Sequence, residues 1–382
     1  MPWVAWHERS LSMMTRRRFV SMVFALLSSF VPAIWCGESG STRDITFFLV
    51  SDVHVGMVYK DCVPVFSAAD YEKLIATTLD VMAGIPGKPW PNSGPVAEAM
   101  EGLGPVPTPR GVIVAGDVTE GGTPAQWTDF DRLFPWKGDP PKRFPVFACA
   151  GNHDGGSKSG GVRKGLRARN QEMLKAGMLT TLSEDGLHSA WVWQDVHFIN
   201  VNLYPGDEPK ADSKPGSMWD PENSLSFLKK YLAKNAPAPT PVVIVQHFDL
   251  TGAAWWDQDR RKAFYEAIKD YNVVAILHGH THAITHLLFP DDRDLKVFGA
   301  GGPRFDCFSA GAFKREGVKS GVPFPGPRTP CEVYVFRMTN TRFVAAHFTG
   351  ESDGWNAGRT VASLYVAKPL QPPAAAKAQS RR

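Results

Sequence analysis

The sequence predicts an α/β protein, a four-layer αββα sandwich in which two mixed β-sheets are flanked by helices. Three observations predict this class. Five short apolar segments each have the composition of a buried strand that runs into a polar turn. Segments with helical spacing alternate with these strands, and the last third of the chain has mostly strand-like patterns. A single domain over residues 45–350 accounts for all three.

The five apolar segments share one feature, which is that a metal-type side chain follows each of them. They are 45–50 before Asp52 and His54, 111–115 before Asp117, 145–150 before Asn152, His153 and Asp154, 241–246 before His247, and 273–277 before His278, His280 and His282. Ligand sites in α/β sheets lie outside the carboxyl ends of the strands. The sequence therefore predicts one shared site, built from all five strand ends.

The remaining elements are assigned by periodicity and turn residues. Helices are predicted over 68–83, 124–134, 221–233 and 260–269, with a basic, partly helical piece within 155–185. Further strands are predicted over 190–193, 196–202, 284–289, 296–299, 333–337 and 342–348. Segments 84–110 and 203–220 are predicted to be loops, and 366–382 a disordered tail in the C-terminal extension 351–382.

Composition argues against a nucleic-acid partner. The chain has 382 residues, 43% of them hydrophobic and 21% charged, with a net charge of +4. Both termini are basic, so the region between them carries net negative charge. A nucleic-acid-binding domain should instead have a basic face in its folded part. The sequence does not indicate an oligomeric state.

The N-terminus predicts export. Thr15-Arg16-Arg17-Arg18-Phe19-Val20 resembles a twin-arginine signal, residues 19–31 are apolar, and 31–33 suit a cleavage site. Residues 1–33 are thus predicted to be an export signal and 34–44 a linker, which places the protein in the periplasm or outside the cell. An ordinary secretory signal or an uncleaved anchor is the alternative. The apolar segment is too short to span a bilayer comfortably, so no transmembrane span is expected in the mature chain.

Few cysteines are present, and none has metal-type spacing. The five cysteines are too few for a disulfide scaffold. Cys36 lies at the signal boundary and raises the question of lipidation. Cys307 and Cys331 could pair after export.

The ligand types point to two metal ions. Asp52 and His54 share a side if the backbone is extended, and so do His280 and His282. Asp117, Asn152 and His247 add oxygen or nitrogen donors from other strands. Carboxylate, imidazole and carboxamide suit Zn, Mn or Fe. Seven ligands are too many for one tetrahedral ion and suit two divalent ions that share a carboxylate.

Such a pair of ions predicts phosphoryl chemistry. Two divalent ions outweigh the charges of Asp52, Asp117 and a bridging hydroxide, so the site would attract an anionic phosphoryl group. Paired ions are the known arrangement for in-line displacement at phosphorus. Water with a pKa lowered by a metal ion would be the nucleophile, so no Ser or Cys nucleophile is needed.

These motifs together resemble those of the calcineurin-like metallophosphoesterases. They are Asp52-Val53-His54, Gly116-Asp117, Gly151-Asn152-His153-Asp154, His247 and Gly279-His280-Thr281-His282, in the order of that family, across residues 45–282. The resemblance implies one metal on Asp52, His54, Asp117 and His282. It implies the other on Asp117, Asn152, His247 and His280, with Asp117 bridging.

The resemblance also implies catalytic roles for His153 and Asp154. His153 would lie against the phosphate and stabilise charge or protonate the leaving oxygen, while Asp154 would orient the His153 ring. Protein Ser/Thr phosphatases of the family have an Arg after Gly-Asp and a Glu after Asn-His. In this chain the stretch Gly116-Asp117-Val118-Thr119-Glu120-Gly121-Gly122 contains no Arg, and Asp154 follows Asn152-His153, which favours small phosphate mono- or diesters.

The expected activity is therefore hydrolysis of a phosphate ester by in-line attack of a metal-bridging hydroxide. A phosphodiesterase or phospholipase acting on an envelope substrate is the alternative, and a non-catalytic binding module on the same fold is a remote one. Arg163, Trp255 and Arg304 are candidate substrate contacts. A solvated helix face around Arg163 and a packed loop at Trp255 are the competing explanations. His278 is expected to support the ligands or to be structural.

Overall fold

Two mixed β-sheets form the centre of the protein, as the computed structural model shows. The structure describes residues 42–92, 97–139, 142–156, 161–209, 212–250, 256–299, 302–313, 318–326, 332–349, 355 and 366–370.

The first sheet combines parallel and antiparallel strands. Its strands are β1 (Asp44–Val50), β2 (Val112–Val114), β3 (Val146–Ala148), β11 (Val333–Thr339), β12 (Arg342–Phe348) and β13 (Val366–Pro369). They lie in the order β13-β12-β11-β1-β2-β3. β1, β2 and β3 are parallel, so their carboxyl ends meet at one edge of the sheet.

The second sheet has a similar division. Its strands are β4 (Thr181–Leu182), β5 (Ser189–Trp193), β6 (Val196–Asn200), β7 (Val242–Val245), β8 (Val273–His278), β9 (Thr285–Phe289) and β10 (Phe305–Ser309). They lie in the order β4-β5-β6-β7-β8-β10-β9. β6, β7, β8 and β10 are parallel, which brings the ends of β7 and β8 together.

Helices cover the outer faces of the sheets. They are α1 (Ala68–Ala83), α2 (Ala97–Met100), α3 (Pro124–Leu133), α4 (Val162–Lys175), α5 (Ser224–Asn235), α6 (Gln258–Ile268) and α7 (Asp292–Phe298). α1 and α3 begin with capping boxes, in which Ser67 and Thr123 bond the third residue of each helix. None of the helices in the described part of the chain is long and apolar enough to cross a bilayer.

The alternation of side chains in β7 shows how the layers are built. Val243 and Val245 belong to the core that includes the first sheet, whereas Val242 and Ile244 belong to the core under α5 and α6. A strand buried on both faces in this way has helices on one side and a second sheet on the other. Phe47 of the first sheet meets Phe198 of the second with ring centroids 5.3 Å apart. The αββα prediction is therefore confirmed.

Two predicted elements differ from the structure. The strand predicted over 296–299 is wrong, because residues 292–298 form α7. The Asp291 side chain accepts from the backbone amides of Arg293 and Asp294, a cap that favours a helix. The helix predicted from Pro221 begins at Ser224 instead, because Glu222 and Asn223 adopt left-handed backbone angles.

The predicted tail, linker and first loop also differ in detail from the structure. The tail predicted over 366–382 contains β13, which pairs with β12. In the predicted linker, Arg43 is buried and its guanidinium pairs with Asp195. The predicted loop 84–110 buries Trp90 and Met100 against the core. The export signal over 1–33 and Cys331 lie outside the described residues, so export and a Cys307–Cys331 bond stay predictions.

Candidate metal centre

The predicted ligands meet where strands of the two sheets end. Asp52 and His54 follow β1, Asp117 follows β2, Asn152 follows β3, His247 follows β7, and His280 and His282 follow β8. Five of them, Asp52, His54, Asp117, His280 and His282, have φ between 46° and 73°. This left-handed conformation is uncommon for non-glycine residues and costs about 1–3 kcal/mol each, and it clusters at functional sites.

One group of donors brings together Asp52, His54, Asp117 and His282. The Nε2 atoms of His54 and His282 lie 3.2 Å apart, and His282 Nε2 lies 3.4 Å from Asp52 Oδ1. Asp52 also accepts from the backbone amide of His280 at 3.0 Å, which ties the β1 turn to the β8 turn.

A second group joins Asp117, Asn152, His247 and His280. His247 Nε2 lies 3.3 Å from Asp117 Oδ2, 3.2 Å from Asn152 Oδ1 and 3.3 Å from His280 Nδ1. Asp117 therefore belongs to both groups, because its Oδ2 also lies 3.8 Å from His54 Nε2.

These separations fit ligands that surround an ion. Two ligands on one tetrahedral ion, each about 2.0–2.2 Å from it, lie roughly 3.4 Å apart. The ring of His247 is fixed from behind, since its Nδ1–H donates to the Ala115 carbonyl at 2.9 Å and Nε2 is left for the centre. Such a partner on the far nitrogen is usual for a histidine that binds a metal.

Two glycines make room for the carboxylates. A Cβ on Gly151 would lie 2.1 Å from Asp117 Oδ1, and a Cβ on Gly279 would lie 2.5 Å from Asp52 Oδ2. Glycine is therefore required at both positions, because a side chain there would clash with a carboxylate of the centre.

Burial and charge set the protonation of the cluster. Burial opposes the charge of Asp117, but the neighbouring His247 and His54 hold the pKa of its carboxyl well below the usual range. Burial lowers the pKa of the His247 ring, but the charge of Asp117 outweighs this effect and raises the pKa of His247 to about 9. Burial and the charge of His247 lower the pKa of His280 to about 4, so the His280 ring is neutral at pH 7 and keeps a lone pair.

Glu120 is a site residue that the sequence reasoning missed. Its Oε2 lies 2.7 Å from His54 Nδ1, and its backbone carbonyl accepts from His153 Nδ1 at 2.9 Å. One residue thus contacts both the ring of a predicted ligand and the ring of the predicted catalytic histidine. A carboxylate in the same turn as Asp117 was the signal available in the sequence.

Asp154 does not contact the His153 ring in the way that was expected. Its carboxylate is fully buried and accepts from the amides of Gly151, Val118 and Thr119 at 2.8, 3.1 and 2.9 Å. Burial and the charge of Asp117 raise the pKa of Asp154 to about 6. Asp154 therefore ties the β3 turn to the β2 turn, and Glu120 takes the position beside His153.

Two of the three candidate substrate contacts are paired with carboxylates outside the cluster. Arg163 is 1% exposed, and its guanidinium bonds Glu222 at 2.6 Å. Arg304 pairs with Asp292 on α7. Trp255 lies outside the described residues.

A pocket of about 430 Å³ opens beside His153. His153 is about one-third exposed, in contrast to the buried His54 and His247. The pocket is lined by Glu120, Gly121, His153, Gly155, Gly156, Gly216, Ser217 and Met218.

Comparisons with known proteins place the chain in a family. Solved structures similar to it include the calcineurin-like phosphoesterase YfkN from Bacillus subtilis, with 11% identity, a TM-score of 0.32, and coverage of 86% of this chain and 91% of that one. GAP50, the anchor in the inner membrane complex of Plasmodium, has 11% identity, a TM-score of 0.44 and coverage of 87% and 90%. The 5'-nucleotidase precursor from Thermus thermophilus has 15% identity, a TM-score of 0.35 and coverage of 86% and 54%, so the chain spans about half of it.

Sequence comparison gives the assignment. The search of curated proteins returned no match. The sequence model of the calcineurin-like phosphoesterases matches residues 45–283, which is more than half of the chain and contains every predicted metal ligand. The chain belongs to the calcineurin-like phosphoesterase family and is a metal-dependent phosphoric ester hydrolase.

Proposed function

We propose that seven residues hold two divalent ions and that the protein hydrolyses a small phosphate mono- or diester at this centre. Asp52, His54, Asp117 and His282 would hold one ion. Asp117, Asn152, His247 and His280 would hold the other. The observation that carries the proposal is the convergence of these donor atoms, at 3.2–3.8 Å in the first group and 3.2–3.3 Å in the second.

When bound, two such ions supply a nucleophilic water of lowered pKa and neutralise charge on the phosphoryl group. Mn, Zn and Fe all suit the donor set, because it combines imidazole, carboxylate and carboxamide without thiolate.

His153 would act on the substrate from beside the ions. Its Nδ1–H donates to the Glu120 carbonyl, so Nε2 remains for a phosphoryl oxygen or for the leaving oxygen. The Glu120 carboxylate lies 3.9 Å from the same nitrogen, so the carbonyl and the carboxylate of Glu120 both face His153 Nδ1. His153 would stabilise charge on the phosphoryl group or protonate the leaving oxygen, and Glu120 is the residue that orients its ring.

The test compares His153→Ala with His197→Ala. Both variants remove a partly exposed imidazole, but His197 contacts Tyr231 on the outer side of β6. After loading with Mn, Zn or Fe, we expect His153→Ala to lower kcat on an aryl phosphate or aryl phosphodiester by about 10²–10⁴-fold. His197→Ala should keep the rate. Equal rates in correctly folded, metal-loaded His153→Ala and wild-type protein would refute the role of His153.

A further inference from the structure

The pocket beside His153 has two walls from different parts of the chain. One wall carries Glu120 and His153 from the turns after β2 and β3, and the other carries Gly216, Ser217 and Met218 from the segment before α5. Its volume of about 430 Å³ falls within the range of roughly 300–1,000 Å³ that small-molecule pockets occupy. A substrate held by the ions and His153 would therefore extend its leaving group into this space.

The walls meet at Gly156. A Cβ on this residue would lie 2.3 Å from the Gly216 carbonyl oxygen, so only glycine allows the two segments to approach so closely.

Arg163 anchors the second wall from behind. Its guanidinium donates to the Met218 carbonyl at 3.0 Å and to the Asp220 carbonyl at 2.8 Å. The Asp220 carboxylate in turn accepts from the amide of Gly216. Because Glu222 balances the charge of Arg163, the guanidinium fixes the wall without adding positive charge to the pocket.

The described lining of the pocket offers no cation to a second phosphate. Among the described residues that line the pocket, Glu120 is the only acidic one and none is Lys or Arg. The remaining groups are glycine backbone, the Ser217 hydroxyl, the Met218 side chain and the His153 ring. Hydroxyl groups can donate to the Glu120 carboxylate and to backbone carbonyls, whereas a further phosphate would face that carboxylate with no lysine or arginine among the described lining residues.

We infer that this pocket binds the leaving group and selects phosphate esters of uncharged polyols or sugars over esters whose leaving group carries another phosphate. The inference rests on the proposed hydrolytic function, and it makes the charge of the pocket lining the determinant of specificity. Discrimination of this kind comes from repulsion of the wrong substrate as much as from contacts with the right one.

The test uses substrate pairs that differ by one phosphate. Glucose 6-phosphate is compared with glucose 1,6-bisphosphate, and fructose 6-phosphate with fructose 1,6-bisphosphate, with an aryl phosphate as reference. We expect kcat/KM of the wild-type enzyme to be at least about 10-fold higher for the monophosphate of each pair, which corresponds to about 1.4 kcal/mol. Ser217→Lys adds a cation and should reduce that ratio to about 3-fold or less. Ser217→Ala removes the same hydroxyl without a charge and should keep the wild-type ratio.

The outcomes separate the two levels of the proposal. If the aryl phosphate is hydrolysed but neither sugar pair shows the preference, or if Ser217→Lys leaves the ratio unchanged, the pocket assignment is overturned and the hydrolytic function stands. If no substrate is hydrolysed, aryl phosphate included, both are overturned.

Discussion

Two buried polar regions of this protein differ in how their charges are matched. At the strand ends, the imidazoles of His54, His247 and His282 face the carboxylates of Asp52 and Asp117, and the nitrogens of His54 and His282 approach one another at 3.2 Å. Along α4, the buried arginines instead donate to carboxylates and backbone carbonyls. Arg163 bonds Glu222, and Arg169 bonds the Phe134 and Val146 carbonyls at 2.9 Å.

The difference separates a binding site from a structural network. Burial of charge alone does not identify function, since Arg163 and Asp117 are both 1% exposed. What distinguishes the strand-end cluster is that donor atoms of several side chains converge on shared points, an arrangement that an added cation would complete. The α4 network needs no added ion, because carboxylates and backbone carbonyls of the chain accept from the guanidiniums of Arg163 and Arg169. Arg163, which the sequence suggested as a substrate contact, therefore supports the pocket wall.

The largest effect on stability is expected from breaking the α4 network. Arg163→Met removes the charge that faces Glu222 and the bonds to Met218 and Asp220. We expect the free energy of unfolding to fall by about 3 kcal/mol, at the lower end for a broken buried pair because Glu222 also pairs with Arg167. Urea-induced unfolding measures the change, and the metal content of the folded variant should stay at the wild-type value.

Lys164→Met provides the matched control on the same helix. Lys164 is exposed, so its loss should change the free energy of unfolding by less than about 0.5 kcal/mol. An Arg163→Met protein that loses its metal, yet unfolds at the urea concentration of the wild type, would contradict the division between the two regions.

A smaller effect, confined to the metal centre, is expected from Glu120→Gln. The change keeps the size of the side chain but removes the charge 2.7 Å from His54 Nδ1. Loss of a partner behind a metal-binding histidine lowers metal affinity or activity by about 10–100-fold. Metal titration and kcat on an aryl phosphate measure the effect, with the exposed Glu184→Gln as control. If the metal affinity and kcat of Glu120→Gln equal those of the wild type, Glu120 does not contribute to the metal centre.

The sequence predicted the arrangement of the site where a metal-type side chain directly follows an apolar strand. Each predicted ligand follows an apolar strand, and parallel strands bring their carboxyl ends to one edge, so the meeting of Asp52, Asp117 and His282 could be predicted. The αββα layers could also be predicted, because apolar segments typical of buried strands alternate in the sequence with segments of helical spacing.

Contacts set by turn geometry could not be predicted. Asp154 is the neighbour of His153 in the sequence, but the turn directs its carboxylate back to the amides of Val118 and Thr119. Glu120 reaches His153 from another turn, 33 residues earlier in the chain. Likewise, α5 begins after the left-handed residues Glu222 and Asn223, and the Glu222 side chain pairs with arginines of α4, a contact between distant segments.

Metal stoichiometry tests the central claim most directly. Wild-type protein and Asp117→Asn are loaded with Mn, Zn or Fe, desalted, and analysed for metal per folded chain. We expect two ions per chain in the wild type for at least one of these metals and at most one in Asp117→Asn, because Asp117 belongs to both donor groups. A wild-type protein that binds one ion or none, or an Asp117→Asn protein that keeps two, would contradict a centre bridged by that carboxylate.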